Sequence, residues 1–264
     1  MGYHTPVGGF TRRLNKDIVI HSCKFSRFNT FEFGNRTAII RVPNTKKLVV
    51  WSSIPIGREL QRAIDLSTDN EDDSSSNYEI IAAIIPDIEH TLAAIDLQKQ
   101  FPNIQLIGPS GISDKPQLKL NYEVDKSNIL IKGDEILSDL KDFQFVWLNG
   151  HQNKELVTYF QPTKTLLAAD LLFNIPKNGK NEDQYGTQSQ VKGLQGWLLQ
   201  YINPYSWIGR WFFNSLLDKS KETKSGLQEI YDLDFETIVV SHGSVIEENA
   251  KETFKKTFNA FLKK

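Results

Sequence analysis

Residues 78–108, YEIIAAIIPDIEHTLAAIDLQKQFPNIQLIG, contain the pattern that decides the fold. The spacing of apolar residues predicts a buried strand, a helix and a second strand, which read YEIIAAII, HTLAAIDLQKQF and IQLIG. A strand, a helix and a strand in this order indicate a β-α-β unit with parallel strands. Asp87, Glu89 and His90 directly follow the first strand, and each side chain is able to bind a proton or a metal ion. Because α/β sheets place functional groups at the carboxyl ends of their strands, this turn is the first candidate site.

Runs of Val, Ile, Phe and Thr predict further strands on both sides of this unit. Before it, DIVIHSCKF, FNTFEFG, RTAIIRVP and KLVVWSSI read as antiparallel strands, followed by the helix IGRELQRAIDLS and the polar loop TDNEDDSSSN. After it, QFVWLNGH reads as a strand, ELVTYFQPTKTLLAAD as a hairpin with the turn QPTK, and FETIVVSHG as a final strand. The sequence therefore predicts a mixed α/β (α+β) protein, with a single domain over residues 1–264 and a polar loop and aromatic helical insertion at about 175–220.

Size and charge exclude several functional classes. A chain of 264 residues with 39% hydrophobic residues buries a large core, which excludes a mainly disordered protein. The 31 basic and 32 acidic residues nearly balance, so no overall charge attracts nucleic acid or an anionic membrane. The single cysteine, Cys23, allows no internal disulfide and indicates a reducing compartment. With neither a signal-like segment nor an apolar run of roughly 18 residues, we expect a cytoplasmic protein without a transmembrane segment.

Side chains able to bind a proton or a metal also follow other predicted strands. His151 comes after QFVWLNG, Asp170 ends the hairpin, and His242 comes after TIVVS. Each position alone is ordinary, because a histidine beyond a strand usually forms a structural hydrogen bond. Their repetition at the same kind of position indicates one shared site. The candidate residues are Asp87, Glu89, His90, His151, Asp170 and His242.

The motifs that carry these residues stand in the order IPDIEHTLAA, GH, TLLAADLLF and VVSHG. In this order and spacing they resemble the metallo-β-lactamase superfamily. The stretches WSSIPIGREL, PDIEHTLAAIDLQKQFPNIQLIGP and ELVTYFQPTKTLLAADLLFNIP are similar to a branch of that superfamily known as a domain of unknown function. The resemblance spans nearly the whole chain. It implies a four-layer αββα sandwich, with two sheets face to face, helices on the outer sides and the site at one edge.

The first motif departs from the superfamily pattern His-x-His-x-Asp-His. Ile85 and Asp87 stand at the two leading histidine positions, Glu89 stands at the aspartate position, and His90 stands at the last histidine. The Asp-x-Gly that usually follows the opening strands is also replaced, by SSIPIG. The site implied by the resemblance is therefore degenerate in its first motif.

The later motifs retain the expected residues. His151 matches the histidine of the second motif, Asp170 the aspartate that bridges two metal ions, and His242 the last ligand. The resemblance thus implies two metal positions that share Asp170. The residues of the first are His90, Asp170, His242 and Glu89, and those of the second are Asp87, His151 and Asp170.

Because Ile85 removes one ligand, we expect one firmly bound divalent ion and a weak or absent second one. Carboxylates in place of imidazoles favour iron, manganese or magnesium, although a mixed site still fits zinc. The resemblance implies a metal-dependent hydrolase in which Asp170 is the catalytic residue. A metal-bound hydroxide, oriented by Asp170, would attack an ester, a thioester or a phosphoester in a small molecule of hydrophobic character.

Other interpretations stay open. Asp170 hydrogen-bonded to His90 and His242 would tie the strand ends together without a metal. Asp87 and Glu89 would then act only as acidic residues at the start of a helix. Such a chain would be a catalytically inactive protein of the same fold, serving as a binding or scaffold module. Carboxylates in the first motif are also a feature of iron-containing oxidoreductases of the superfamily, although the register differs here.

The segment 196–213, GWLLQYINPYSWIGRWFF, is rich in aromatic residues, and Pro204 divides it into two predicted helical pieces. Its composition fits a lid over a hydrophobic substrate, a dimer surface, a protein or lipid contact through Trp197 to Phe213, or ordinary packing on a sheet. Superfamily members vary their substrates through insertions after the bridging aspartate. A role in substrate access is therefore the favoured interpretation.

Overall fold

The computed structural model describes residues 2–27, 31–68, 78–112, 118–177, 181–186 and 197–263. The predicted loop TDNEDDSSSN lies outside these residues except for Thr68, and so does much of the predicted polar loop before Trp197. Within the described residues the strands form three sheets, of three, seven and five strands. The two large sheets carry the candidate site.

The seven-stranded sheet is parallel in one half and antiparallel in the other. Its strands, in spatial order, are β10 (Tyr122–Val124), β9 (Gln105–Pro109), β8 (Glu79–Ile84), β7 (Lys47–Trp51), β6 (Asn35–Arg41), β3 (Ile18–Cys23) and β2 (Phe10–Arg13). Neighbours from β7 to β10 are parallel, and neighbours from β2 to β7 are antiparallel. The parallel pair β8 and β9 confirms the predicted β-α-β unit.

The five-stranded sheet is antiparallel except at one edge. Its strands, in spatial order, are β11 (Leu130–Lys132), β12 (Phe143–Leu148), β13 (Glu155–Phe160), β14 (Thr165–Ala168) and β15 (Thr237–Val240). The strands β13 and β14 form the predicted hairpin, whose turn is closed by Lys164 in the left-handed conformation. β14 and β15 pair in parallel, so their carboxyl ends lie at the same edge. The three-stranded sheet contains β1 (Gly2–Tyr3), β4 (Phe25–Arg27) and β5 (Phe31–Glu32).

The α-helices lie outside the two large sheets. Those that lie wholly within the described residues are α1 (Arg58–Thr68), α2 (Ala94–Gln100), α3 (Glu182–Tyr185), α4 (Trp207–Ser215), α5 (Lys221–Asp232) and α6 (Ala250–Phe258). Short 3-10 helices occupy Gly133–Glu135, Ser138–Leu140 and Gln161–Thr163. Across the described ranges, no helix combines the length and the apolar character that crossing a membrane requires.

Alternation of side chains along the strands produces three apolar cores and hence four layers. Residues such as Ile39 of β6 face α1 and α2, whereas Ile40 faces the other sheet. On the second sheet, Phe145 of β12 faces inward between the sheets and Val146 faces α4, α5 and α6. Each sheet is therefore buried on both faces. This arrangement confirms the αββα sandwich implied by the sequence motifs.

Candidate metal centre

The turn after β8 holds His90 through the side chain of Asp87. Oδ1 of Asp87 accepts hydrogen bonds from the backbone N–H groups of Glu89, at 2.7 Å, and His90, at 2.9 Å. Oδ2 of the same buried carboxylate lies 2.8 Å from Nδ1 of His90. This Asx-type turn explains why α2 begins at Ala94, four residues later than predicted. Because Nδ1 is engaged, Nε2 of His90 is the ring nitrogen left for another ligand.

Asp170 lies two residues beyond β14 and is held by two neighbours from the turn and start of β13. Asn153 donates from Nδ2 to Oδ2 of Asp170 at 2.5 Å. The buried carboxylate of Glu155 accepts from the backbone N–H groups of Ala169, at 2.6 Å, and Asp170, at 2.9 Å. The backbone and one carboxylate oxygen of Asp170 are thus fixed, and Oδ1 faces His242.

His242 lies two residues beyond β15, the parallel neighbour of β14. Its Nδ1 lies 2.7 Å from the carbonyl oxygen of Gly34, and its Nε2 lies 3.1 Å from Oδ1 of Asp170. Because a carbonyl only accepts hydrogen bonds, Nδ1 carries a proton and donates it to Gly34. The ring of Phe173 packs edge-on against the imidazole, with 4.5 Å between centroids. The orientation of His242 is therefore determined on every side.

The loop around His242 is held by two side chains from other elements. Arg36 of β6 is fully buried, and its guanidinium donates to the carbonyl oxygens of Val240 and Gly243, the latter at 2.8 Å. Gln184 of α3 accepts from the backbone N–H of Gly243 at 2.9 Å. The backbone on both sides of His242 is thus fixed to the opposite sheet and to α3.

His90, Asp170 and His242 form a compact cluster. Each offers one ligand atom, and the three atoms lie within 4.8 Å of one another. In both histidines Nδ1 is occupied by an oxygen atom, of Asp87 or of Gly34, which is the usual arrangement in metal-binding histidines. Two imidazoles and one carboxylate are a donor set that fits zinc, iron or manganese. The residues present therefore fit a divalent metal ion.

The electrostatics of the cluster favour positive charge. Burial alone lowers the pKa of His90, but the carboxylates of Asp87 and Asp170 outweigh it and raise the pKa to about 10. Burial alone raises the pKa of Asp170, but the neighbouring His90 and His242 outweigh it and hold the pKa well below its usual value. Burial, together with the charges of Asp87 and Asp170, raises the pKa of Glu155 well above its usual value. The cluster thus attracts a cation, either a proton or a metal ion.

The other predicted ligands lie near the cluster but outside it. Oε2 of Glu89 is 3.7 Å from Nη2 of Arg27, and both residues border the cavity above the cluster. His151 is buried, and burial lowers its pKa. Its Nδ1 accepts from the backbone N–H of Asn153 at 3.3 Å, while Nε2 makes no hydrogen bond of normal geometry within the described residues. Ile85 is buried in the core beneath α2, where it offers no ligand atom.

The cluster forms the floor of a cavity of about 260 Å³. The apolar residues of its walls are Phe25, Phe33, Leu92, Phe173, Phe212 and Leu216. Phe212 belongs to α4, and Leu216 is the first residue after this helix. The aromatic segment 196–213 therefore contributes Phe212 to the wall of the cavity. Tyr3, Asn35, Gln152 and Asn153 add polar groups. The cavity therefore combines apolar walls with several polar and charged side chains.

Several residues that build the site were not predicted from the sequence. Glu155 and Arg36 are charged residues at the start of strands that continue with apolar residues, and this pattern could have indicated them. Asn153 stands two residues after His151 in a polar turn and carries no comparable signal. Gly34 acts through its carbonyl oxygen, which no side-chain pattern reveals.

This chain is similar to known proteins in its fold rather than in its sequence. No protein-family model and no curated protein sequence matches this chain. Solved structures do match. The metallo-beta-lactamase from Hirschia baltica is 9% identical, with a TM-score of 0.60, and the match covers 97% of this chain and 99% of that one. The metallo-beta-lactamase from Erythrobacter litoralis is 8% identical, with a TM-score of 0.61 and 95% of each chain covered.

A third structure is FIM-1 from Pseudomonas aeruginosa in its mono-zinc form. It is 11% identical with a TM-score of 0.59, and the match covers 97% of this chain and 95% of that one. At 8 to 11% identity these likenesses establish the fold rather than the chemistry. The chain has the metallo-β-lactamase fold, as its motifs implied.

Proposed function

We propose that this chain is a metal-dependent hydrolase whose divalent ion is held by His90, Asp170 and His242. The observation that carries the proposal is the approach of Nε2 of His242 to Oδ1 of Asp170, at 3.1 Å. Nδ1 of His242 donates to Gly34, so Nε2 is the ring nitrogen that faces the carboxylate oxygen. A cation shared by these two atoms, either a proton or a divalent ion, accounts for their short distance. Nε2 of His90, in the same cluster, supplies the third donor.

The donor set supports one ion more strongly than two. Zinc, iron and manganese all fit two imidazoles and a carboxylate. Asp87 is committed to His90 and to the backbone, so we assign it the role of orienting His90 rather than of ligating a second ion. Glu89 and His151 remain candidate ligands, of which His151 has the unengaged Nε2. The mono-zinc form of the Pseudomonas aeruginosa protein is a precedent for a single ion in this fold.

The side chains around the cluster fit hydrolysis at neutral pH. A divalent ion supplies Lewis acidity and lowers the pKa of a bound water molecule. Asp170 remains ionised because its pKa is held low, and Asn153 fixes one of its oxygens. The carboxylate therefore accepts a hydrogen bond from the attacking group and orients it, which is the catalytic role we assign to Asp170. The apolar walls lower the polarity of the surroundings of the cluster.

The cavity also limits the substrate class. Six apolar side chains line it, three of which are Phe33, Phe173 and Phe212. Polar groups occur at the cluster and also along the walls, where Tyr3, Asn35 and Gln152 lie. We therefore propose that the substrate is an ester, a thioester or a phosphoester and that the rest of the substrate molecule is hydrophobic.

A binding module without catalysis is the second candidate. One observation favours it: each histidine of the cluster already has a carboxylate partner, Asp87 for His90 at 2.8 Å and Asp170 for His242 at 3.1 Å. With both rings protonated, these pairs satisfy the cluster without a metal ion. In that case the cavity would bind a hydrophobic ligand and leave it unchanged.

Metal content per chain separates the two candidates. We expect protein purified without chelators to contain about one equivalent of zinc, iron or manganese by elemental mass spectrometry. The variants His242→Ala and Asp170→Asn should lose this metal. Glu89→Gln is the matched control at the rim and should retain most of it. Wild-type protein that contains no metal, and takes up none from added salts, would overturn the hydrolase proposal in favour of the binding module.

A further inference from the structure

Large apolar side chains are concentrated on one surface, around α4. Five of the nine exposed large hydrophobic residues in the described part of the chain lie between 197 and 211. Their exposed fractions are Trp207 72%, Trp211 67%, Tyr205 64%, Leu198 51% and Trp197 48%. Scattered exposed apolar residues are normal, but a concentration of this kind marks a contact surface.

Four of these five residues are aromatic, and the half-buried Tyr201 lies among them. The rings of Trp197 and Tyr201 are in edge contact, with 5.2 Å between centroids. Tyr201, Tyr205 and Trp207 line one surface cavity of about 580 Å³. Trp207 and Trp211 are four residues apart in α4, which places them on the same face of the helix. We call Trp197, Tyr201, Tyr205, Trp207 and Trp211 the aromatic row.

The opposite face of α4 packs against the rest of the protein. Phe213 is fully buried in the core, and Phe212 and Leu216 line the cavity above the metal cluster. Ser206 caps the helix by accepting from the N–H of Gly209 at 2.8 Å. Since α4 is held by these contacts, packing does not account for the exposed tryptophans. Within α4, the exposed tryptophans and the residue that lines the cavity wall, Phe212, lie on different faces of the helix.

Two basic residues, Lys177 and Arg210, lie beside the row. Between residues 197 and 217 the sequence contains one charged side chain, Arg210. Lys177 lines the surface cavity together with Tyr205 and Trp207, and no aspartate or glutamate is among the described residues that line it. Tryptophan and tyrosine favour the headgroup region of a bilayer, and lysine and arginine beside them meet lipid phosphates. This combination fits a phospholipid surface better than a protein surface with charges of both signs.

We propose that the aromatic row docks this protein on a phospholipid bilayer, with Lys177 and Arg210 against the phosphates. The row carries no group needed for metal binding, so the inference is independent of the proposed hydrolase activity. Docking in this orientation places α4 between the lipid and the cavity.

Cosedimentation of the full chain with vesicles tests the proposal. The vesicles contain phosphatidylcholine alone or a 4:1 mixture with phosphatidylserine, at about 0.1 M salt. We expect wild-type protein to bind both, and more strongly to the anionic mixture. Trp207→Ala/Trp211→Ala should lower the partition coefficient at least about 10-fold on both vesicles. Arg210→Gln should lower it about 5-fold on the anionic mixture and less on phosphatidylcholine.

Two controls make the result specific. Ile129→Ala removes an exposed apolar residue outside the aromatic row and should bind like wild type. His242→Ala should also bind like wild type, which separates docking from metal binding. Absence of wild-type binding to either vesicle, or equal binding by the double tryptophan variant, overturns the proposal. A wild-type dimer in light scattering that becomes a monomer in the double variant would assign the row to a second copy of the chain and would equally overturn it.

Discussion

Asp170 and His242 face each other, with 3.1 Å between Oδ1 and Nε2, because the register of two parallel strands brings them level. Ala168 of β14 pairs with Val240 of β15, and each functional residue lies two positions further along its own strand. The equal offset places both side chains at the same edge of the sheet. A slip of one residue between these strands would separate the pair, so the register of the five-stranded sheet determines this half of the cluster.

The first prediction concerns the role of Asp87 in orienting His90. In Asp87→Asn, Oδ1 still accepts from the backbone, but the new amide donates toward Nδ1 of His90 and favours the tautomer with a proton on Nε2. We expect metal affinity to fall by about 10-fold to 100-fold, measured by competition with a chromogenic chelator. Asp96→Asn on α2 is the exposed control and should bind metal like wild type. Unchanged affinity in Asp87→Asn would show that the carboxylate does not orient the ring.

The second prediction concerns the buried Arg36. Arg36→Met removes hydrogen bonds to the carbonyl oxygens of Val240 and Gly243, and it also removes a buried charge whose partner is Asp183, at 3.3 Å. We expect the free energy of unfolding to fall by about 3 to 5 kcal/mol in urea titrations. Metal retention should fall as well, since the loop around His242 loses its attachment to β6.

Two further variants separate charge from geometry at this position. Arg62→Met on the exposed face of α1 should change stability by less than about 0.5 kcal/mol. Arg36→Lys retains the charge but cannot reach both carbonyl oxygens in the same geometry, so it should be intermediate. If Arg36→Met were as stable as Arg62→Met, the buried guanidinium would not be what fixes the loop.

The third prediction concerns Glu155, which binds two backbone N–H groups. Glu155→Leu leaves the N–H groups of Ala169 and Asp170 buried without acceptors. We expect a loss of about 2 to 4 kcal/mol in the free energy of unfolding. Glu155→Gln keeps an acceptor oxygen and should lose less than half as much. Equal losses in the two variants would mean that the charge of Glu155, rather than its hydrogen bonds, stabilises this turn.

The fourth prediction concerns the apolar wall of the cavity. Phe212 contacts Phe173, with 6.1 Å between ring centroids, and lines the cavity from α4. Phe212→Ala enlarges the cavity, so hydrolysis of a series of p-nitrophenyl esters should shift toward longer acyl chains by about two methylene groups or more. Phe10→Ala, at an exposed position on β2, is the control and should leave the profile unchanged. A uniform loss of rate at every chain length would argue against a role in substrate selection.

Much of the fold could be predicted because its strands are apolar on both faces and end at Gly, Pro or polar residues. The β-α-β unit at 78–108 and the hairpin closed by QPTK were found in this way. The short strands β2, β10 and β11 were missed, because three or four residues give too little periodicity. The helix α6 was also missed, although its spacing of Ala250, Phe254 and Phe258 is helical. The single domain, the cytoplasmic location and the absence of a nucleic-acid partner stay predictions.

The candidate site could be predicted only in part, because the sequence indicates which strand ends carry functional groups but not where the side chains turn. His90, Asp170 and His242 were proposed together from their positions, and the structure brings these three together. The ligand assignments themselves stay predictions. Asp87 had been matched to a ligand position, whereas its oxygens bind the backbone and His90. The hydrogen bonds of Asp87 depend on the backbone conformation of one turn, and this conformation cannot be predicted from a single sequence.

The cluster draws its members from both halves of the sandwich. His90 follows β8 of the seven-stranded sheet, while Asp170 and His242 follow strands of the five-stranded sheet. An ion held by all three would therefore cross-link two sheets that pack through apolar side chains and are joined at this edge by the hydrogen bonds of Arg36 and His242. Since the unfolded chain cannot present these donors together, bound metal adds RT ln(1 + [L]/Kd) to the stability of the native state. Loss of the ion would then loosen the edge of the sandwich where the cavity opens. Binding of the metal ion and the width of the cavity opening would therefore change together.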